Sequence, residues 1–179
     1  MNRRLSKIVA ACAATLALAA CASPSLPAKM TASAGIVSTA TPGQARYRAL
    51  SVEHVQGGEQ TNPLLASQVS NADFQTALES SLRAIEYLAD DGAAYRITVN
   101  IQDLQQPMAG LDMSVTARVR YTVVPVAGGA PLIDEVISST GTGTVSEALI
   151  GVERIRIANE YAVKANIEAF IRLLEARLK

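Results

Sequence analysis

The fold is decided by two stretches of the chain, YRITVNIQ (residues 95–102) and MSVTARVRYTV (residues 113–123). Apolar and polar side chains alternate along both stretches, so every second residue faces the same side of a strand. Alternation of this length is typical of strands that are buried on one face and hydrated on the other. The two stretches, joined by a turn around residues 107–110, are therefore predicted to be strands of one sheet.

The segments on either side of these strands complete the predicted fold. Ser70 and Asp73 have the spacing of a capping box at the start of a helix. The remaining predicted elements are strands at 46–55 and 132–142 and helices at 71–89 and from 152 to the end of the chain. The order β-α-β-β-β-α predicts a two-layer α+β domain, with both helices on the apolar face of a four-stranded sheet.

The N-terminus has the pattern of a secretory signal. A basic start is followed by an apolar run, residues 8–20, that is too short to span a bilayer, and the run ends in Leu-Ala-Ala before Cys21. This ending resembles a lipobox, in which the cysteine is acylated and becomes the mature N-terminus. We predict that residues 1–20 are removed and that Cys21 carries the lipid. The alternative is an ordinary signal peptide with a chance cysteine near its cleavage site.

Residues 21–44 lack the periodicity of a helix or strand and are rich in Ser, Ala, Thr and Pro. This composition predicts a flexible tether from Cys21 to a folded domain at 45–179. A coil of this length spans about 25 Å on average and about 70 Å when extended. The alternative is an ordered arm packed on the domain, for which residues 35–37 (Gly-Ile-Val) are the best candidate segment.

Composition excludes several classes of function. Removal of residues 1–20 takes away three of the 16 basic residues and none of the 16 acidic ones, which leaves a net charge of about −3. Such a balance argues against binding to nucleic acid. His54 is the only histidine, and no free cysteine remains if Cys21 is acylated, so a zinc site of Cys and His ligands is excluded. We expect no metal and no cofactor.

Motifs that could support catalysis are weak. The glycine-rich stretch at residues 141–144 lacks the Gly-Lys-Ser/Thr ending of a phosphate loop, and we interpret it as a strand end that needs backbone freedom. The carboxylate pairs at residues 90–91 and 134–135 are adjacent in sequence and should not converge on one point. His54 would be the base of any Ser-His-Asp arrangement, but a surface histidine is the simpler interpretation. We predict no catalytic residues and no enzymatic activity.

The polar side of the central strands carries Arg96, Arg118 and Arg120, and Arg46 and Arg48 on the predicted first strand are candidates for the same face. All the charges predicted on this face are positive. Arginine binds phosphate and carboxylate groups bidentately, so the face could hold an anionic lipid, lipopolysaccharide or an acidic partner. The alternative is that these arginines only solubilise the face and pair with nearby Asp and Glu.

Three features carry a resemblance to a known group: the lipobox, the Ser/Pro-rich tether and the β-α-β-β-β-α order. Further points of likeness are Phe74, Leu78 and Leu82 before an alternating strand, and the runs 158–162 and 166–167. The chain resembles small bacterial envelope lipoproteins, which include auxiliary lipoproteins of ABC and lipid transporters and lipopolysaccharide-assembly lipoproteins. The resemblance implies an accessory role with a protein partner. Ala22, which is not Asp, implies sorting to the outer membrane, facing the periplasm.

Three classes of function follow. The first is a lipid-anchored accessory protein that binds through its open sheet face or a strand edge. The second is a lipid or glycolipid carrier, which would need a cavity of several hundred Å³ under the helices. The third is an enzyme acting on envelope glycolipid, which would need convergent carboxylates in a cleft.

Overall fold

The computed structural model describes residues 22–63 and 66–179, so the predicted signal at 1–20 and Cys21 lie outside the described residues. Its architecture is α+β, as predicted, with one short helix in addition to the two expected. The elements are α1 (Pro27–Met30), β1 (Leu50–Gln56), α2 (Asn71–Ala84), β2 (Tyr95–Gln105), β3 (Met113–Pro125), β4 (Ile133–Gly143) and α3 (Gly151–Arg177). Within the described residues, no helix is long and apolar enough to cross a membrane.

The four strands form one mixed sheet in the order β1-β2-β3-β4. Strands β1 and β2 are parallel, since the chain crosses over through α2 between them, whereas β2, β3 and β4 are antiparallel neighbours joined by short loops. In this register, the apolar members of the two alternating stretches all point to the same side. Ile97, Val99, Val119 and Tyr121 are completely buried there.

The helices cover this apolar side of the sheet. Helix α2 packs against β1, and α3 lies across β3 and β4. The Tyr121 ring stacks on Phe170 of α3 with centroids 3.9 Å apart, and the ring centroid of Phe74 of α2 lies 6.5 Å from that of Tyr121. Among the described residues, no helix lies on the other side of the sheet, which confirms the predicted two-layer arrangement.

Two element ends differ from the predicted ones. Strand β1 begins at Leu50 instead of residue 46, and α2 ends at Ala84 instead of residue 89. The residues just before β1 and just after α2 contact each other, since the backbone N–H of Arg48 donates to the carbonyl of Glu86 over 2.8 Å. Arg48 and Glu86 have φ angles of 45° and 59°, so each residue breaks the regular element predicted to contain it.

The predicted flexible tether is wrong for residues 22–44, which form an ordered arm against the two long helices; we call this segment the N-terminal arm. Met30 is completely buried and Ala40 is 3% exposed, both as part of the main core. Ile36 and Val37, the segment proposed as the alternative, also pack against that core. Small and apolar residues in this stretch therefore fill a groove between helices although they follow no regular period.

Helix α3 approaches β4 closely at two glycines. A Cβ on Gly141 would lie 2.3 Å from the Ala162 nitrogen and 2.5 Å from the Ala158 carbonyl oxygen, and one on Gly143 would lie 2.1 Å from the Arg154 carbonyl oxygen. Neither glycine has a positive φ. The interpretation of residues 141–144 as a site of backbone freedom is therefore corrected: these glycines provide space for the helix.

Candidate functional site

The side of the sheet without helices is the candidate functional site; we call it the open face. It is formed by outward-pointing residues of the four strands, and two hydroxyl pairs lie on it between β3 and β4. The Oγ of Ser114 lies 2.9 Å from Oγ1 of Thr142, and the hydroxyls of Thr116 and Thr140 are 3.0 Å apart. These cross-strand pairs hold side chains of β3 and β4 in a fixed arrangement.

Arg120 is fixed on the open face by a carboxylate of the neighbouring strand. Its Nε and Nη2 donate to the two carboxylate oxygens of Asp134, each over 2.7 Å, and Thr122 donates to the same carboxylate. The hydrogen bonds from Arg120 lower the pKa of Asp134 below its usual value. A bidentate pair of this kind orients the guanidinium, but it also uses the edge that would otherwise bind an anion.

The other two predicted arginines differ from Arg120. Arg96 lies 3.8 Å from the Glu53 carboxylate on β1, a loose ion pair. Arg118 pairs in register with Asp103 of β2, and its side chain has no ion pair within the described residues. Arg118 and Arg120 are about 7 Å apart along β3, while Arg96 is roughly 14 Å from Arg120 at the far end of β2. The structure thus brings together two of the three predicted residues.

The prediction that all charges on the open face are positive is wrong. Asp134 and Glu53 neutralise two of its arginines, because sheet pairing brings acidic residues of β4 and β1 beside β3 and β2. Arg46 and Arg48 do not join this face. Arg46 contacts Ser38 of the N-terminal arm, and Arg48 pairs with Glu86 beyond the end of α2.

Sequence reasoning did not predict that four polar residues of α3 are buried, among them Asn159, Glu160 and Asn166. Asn166 receives the Tyr121 hydroxyl hydrogen bond at 2.9 Å and donates to the Ile137 carbonyl, which ties α3 to β3 and β4. Asn159 donates to the Ser67 carbonyl over 2.9 Å. Glu160 is only 3% exposed. Each of these residues interrupts the apolar stripe of the helix, and that interruption was the available sequence signal.

Glu160 holds the start of the N-terminal arm. Its carboxylate accepts the backbone N–H of Leu26 over 2.9 Å and is ion-paired with Arg156, which also binds Glu153. Burial raises the pKa of the Glu160 carboxyl despite these partners. Two further glutamates of α3 continue the series, since Glu168 accepts the Ser33 N–H and Glu175 accepts the Ser38 hydroxyl. The arm therefore runs alongside α3 in the same direction.

Replacing Glu160 with alanine should release the start of the arm. We expect hydrogen exchange at the Leu26 amide to accelerate at least about tenfold, because that N–H loses its charged acceptor. Glu168→Ala is the matched control and should accelerate exchange at Ser33 without affecting Leu26. Unchanged protection of Leu26 in Glu160→Ala would show that packing alone holds the arm.

Three of the four carboxylates in the adjacent pairs at residues 90–91 and 134–135 are ion-paired with arginine. Asp90 pairs with Arg83, Asp134 with Arg120, and Glu135 with Arg177. Among the described residues, no group of three or more His, Cys, Asp or Glu is placed to hold a metal ion.

Two grooves bear on the carrier hypothesis. The first, between the arm and the long helices, has a volume of about 190 Å³ and is lined by residues such as Ile36, Ile85 and Ile171. The second, a surface groove of about 510 Å³, is lined by charged residues of the arm and α3, including Lys29, Glu160 and Lys164. Neither is an apolar cavity under the sheet.

Comparison with known proteins finds solved structures that have a similar fold. No family model matches the chain, and no curated protein matches it. Similar solved structures include the hypothetical protein CT253 from Chlamydia trachomatis (TM-score 0.54, 12% identity, covering 72% of this chain and 96% of that chain). Protein XCC0632 from Xanthomonas campestris has a TM-score of 0.55 at 9% identity, with 78% and 91% covered.

A third similar structure is a candidate lipoprotein from Caulobacter crescentus, with a TM-score of 0.51 at 10% identity and coverage of 75% of this chain and 93% of that chain. At such low identities the likeness concerns the fold alone. The chain thus shares its α+β fold with bacterial proteins, one of which is a candidate lipoprotein, and almost the whole length of each is matched.

Proposed function

We propose that this protein is a lipid-anchored component of the bacterial envelope that acts by binding, as a non-enzymatic accessory of a transport or assembly system. It is attached through the acylated Cys21, sits at the outer membrane and faces the periplasm. Its open face binds an acidic region of a protein partner, with Arg118 as the main contact and with Arg96 and Arg120 beside it.

The observation that carries the proposal is the open face itself. A four-stranded sheet, one side of which is free of helices in the part of the chain that the structure describes, presents a broad, rigid surface, and hydroxyl pairs and ion pairs fix its side chains. Arg118 is exposed at its centre without an ion pair among the described residues. A preorganised surface of this kind costs little conformational entropy when it binds.

The carrier alternative receives less support. The space between the sheet and the helices is filled by large buried side chains, including Phe74, Tyr121 and Phe170. The groove of about 190 Å³ beneath the arm is smaller than the several hundred Å³ typical of ligand pockets.

The test is in-cell cross-linking and pull-down of the full-length protein, followed by mass spectrometry of proteins and lipids. In the triple variant Arg96→Gln, Arg118→Gln, Arg120→Gln, partner recovery should fall about tenfold or more, since the charged contacts are lost. The free energy of unfolding should change by no more than about 0.5 kcal/mol per site, because all three side chains are exposed.

A matched control removes the same number of charges from the helical side of the domain. The side chains of Arg83, Arg172 and Arg177 are 62%, 56% and 49% exposed, and their triple replacement by glutamine should leave partner recovery unchanged. Full recovery with the open-face variant, or equal loss with both variants, would contradict the assignment of the open face. Recovery of a lipid without a protein would favour the carrier.

A further inference from the structure

Two loops lie together at one end of the sheet. Residues 106–112 connect β2 to β3, and residues 144–150 connect β4 to α3. Met113 at the start of β3 is in register with Gly143 at the end of β4, so the two loops emerge side by side. The backbone N–H of Val145 donates to the Asp112 carboxylate over 3.1 Å and joins them directly.

These loops expose several large apolar side chains at their tips. Met108 is fully exposed, and Leu149 and Leu111 are 86% and 81% exposed; Ile150 is also exposed. Single exposed apolar residues are common on protein surfaces, but a group at the tips of two adjoining loops marks a contact surface. We call residues 106–112 and 144–150 the apolar end.

A buried arginine fixes the shape of the apolar end. Arg154 is only 8% exposed, and its guanidinium donates to the carbonyls of Ala148 and Leu149 over 3.0 and 2.7 Å. It also approaches the Gly110 carbonyl of the other loop at 3.4 Å. One side chain thus occupies the backbone acceptors of both loops and leaves their apolar side chains pointing outward.

The N-terminal arm begins at the same end of the molecule. Ser23, Pro24 and Glu153 line one shallow groove, so the first residues of the arm lie beside the first turn of α3, just after Ile150. Gln106, at the base of one loop, donates to the Ser67 carbonyl over 2.8 Å.

Two backbone hydrogen bonds place the first described residues of the arm in the same region. The carbonyl of Gln68, the residue after Ser67, accepts the Ser25 N–H, and the Ala22 N–H donates to the Pro63 carbonyl. Cys21 is the residue immediately before Ala22 in the sequence. A lipid on Cys21 would therefore leave the domain beside the apolar end.

The charges of the two loops favour insertion over electrostatic attraction. Residues 106–112 and 144–150 contain no lysine or arginine, and their only charged residues are Asp112 and Glu147. Both carboxylates are engaged, Asp112 with Val145 and Glu147 with Thr144 and Tyr161. Contact with a membrane would thus depend on apolar burial and would need no anionic lipid.

We propose that the apolar end is a membrane-contacting surface, which inserts Met108, Leu111 and Leu149 into the leaflet that holds the lipid on Cys21. The inference rests on the proposed acylation of Cys21, because the bilayer is the one surface that the anchor necessarily brings to these loops. The N-terminal arm favours this contact, since its described residues pack on the domain from Ala22 onward and so keep the point of lipid attachment close to the domain.

The test uses the full acylated protein in phosphatidylcholine vesicles whose brominated acyl chains quench tryptophan fluorescence. The native chain contains no tryptophan, so a single introduced tryptophan reports on its own position. Trp fluorescence in Met108→Trp should be quenched at least about twofold, independently of salt, as expected for an apolar side chain below the headgroups. Leu149→Trp is a second variant in case the first fails to fold. Val126→Trp is the matched control, since Val126 is 48% exposed in the β3–β4 loop at the opposite end.

Flotation with the vesicles and the intact mass of the protein report on acylation, whereas quenching reports on insertion of the apolar end. The two proposals are therefore tested separately. Quenching of Trp at 108 or 149, with Trp at 126 unquenched, supports the inference. Flotation without quenching at 108 and 149 overturns it while acylation stands. A concentration-dependent dimer that shields Trp at 108 would overturn it in favour of a second copy of the chain. A protein that lacks the lipid mass and does not float would overturn both proposals.

Discussion

Gly141→Val is expected to lower the free energy of unfolding by about 3 kcal/mol or more, enough to remove much of the stability of a domain of this size. The Cβ alone would fall 2.3 Å from the Ala162 nitrogen and 2.5 Å from the Ala158 carbonyl oxygen, both of which belong to the backbone of α3. A flexible side chain could move aside, but a helix backbone cannot do so without losing its packing on β4. Urea unfolding followed by far-UV circular dichroism measures the effect.

Ser138→Ala on the same strand is the control. Ser138 is exposed on the open face, and its replacement should change the free energy of unfolding by less than about 0.5 kcal/mol. If Gly141→Val were as stable as this control, the contact between α3 and β4 would have to be looser than the structure shows.

Cys21→Ser is expected to abolish membrane attachment. Stable anchoring needs at least two acyl chains or an equivalent second signal, so without the modified cysteine the membrane-bound fraction should fall at least about tenfold. The apolar end alone would provide only weak, reversible contact. Fractionation of cell envelopes and intact-mass measurement of the extracted protein give the result.

The chain offers a matched control in its other cysteine. Cys12 lies within the apolar run predicted to be removed, so Cys12→Ser should leave the lipid mass and the membrane-bound fraction unchanged. Equal loss of attachment in both variants would indicate a general export defect. Full attachment of Cys21→Ser would contradict acylation at this position.

Regular elements with a clear period could be predicted from the sequence. Strands β2 and β3 and helix α3 have long alternating or helical patterns, and burial against a common core enforces those patterns. The N-terminal arm could not be predicted in this way, because it has no period. Its order comes from side chains of α3, chiefly Glu160 and Glu168, which bind its backbone from more than 130 residues away in sequence.

The candidate site was predictable only in part. Alternation correctly placed Arg118 and Arg120 on the hydrated face, but it could not show that Asp134 of the next strand would pair with Arg120. That pairing depends on the register between β3 and β4. The apolar end could not be predicted from the sequence for a similar reason. Met108 and Leu149 become neighbours only when two loops meet, and neither loop alone has an unusual composition.

The ordered arm has a consequence for what the open-face arginines can touch. On a domain seated on the bilayer by its apolar end, Arg118 and Arg120 lie five and seven residues along β3 from Met113, which is about 20 Å along the strand from the loops that contact the lipid. Charge attraction fades over about 8 Å at physiological ionic strength. The headgroups of the anchoring membrane would therefore lie out of range, and the ligand of these arginines would be a molecule that projects toward the membrane from the periplasm.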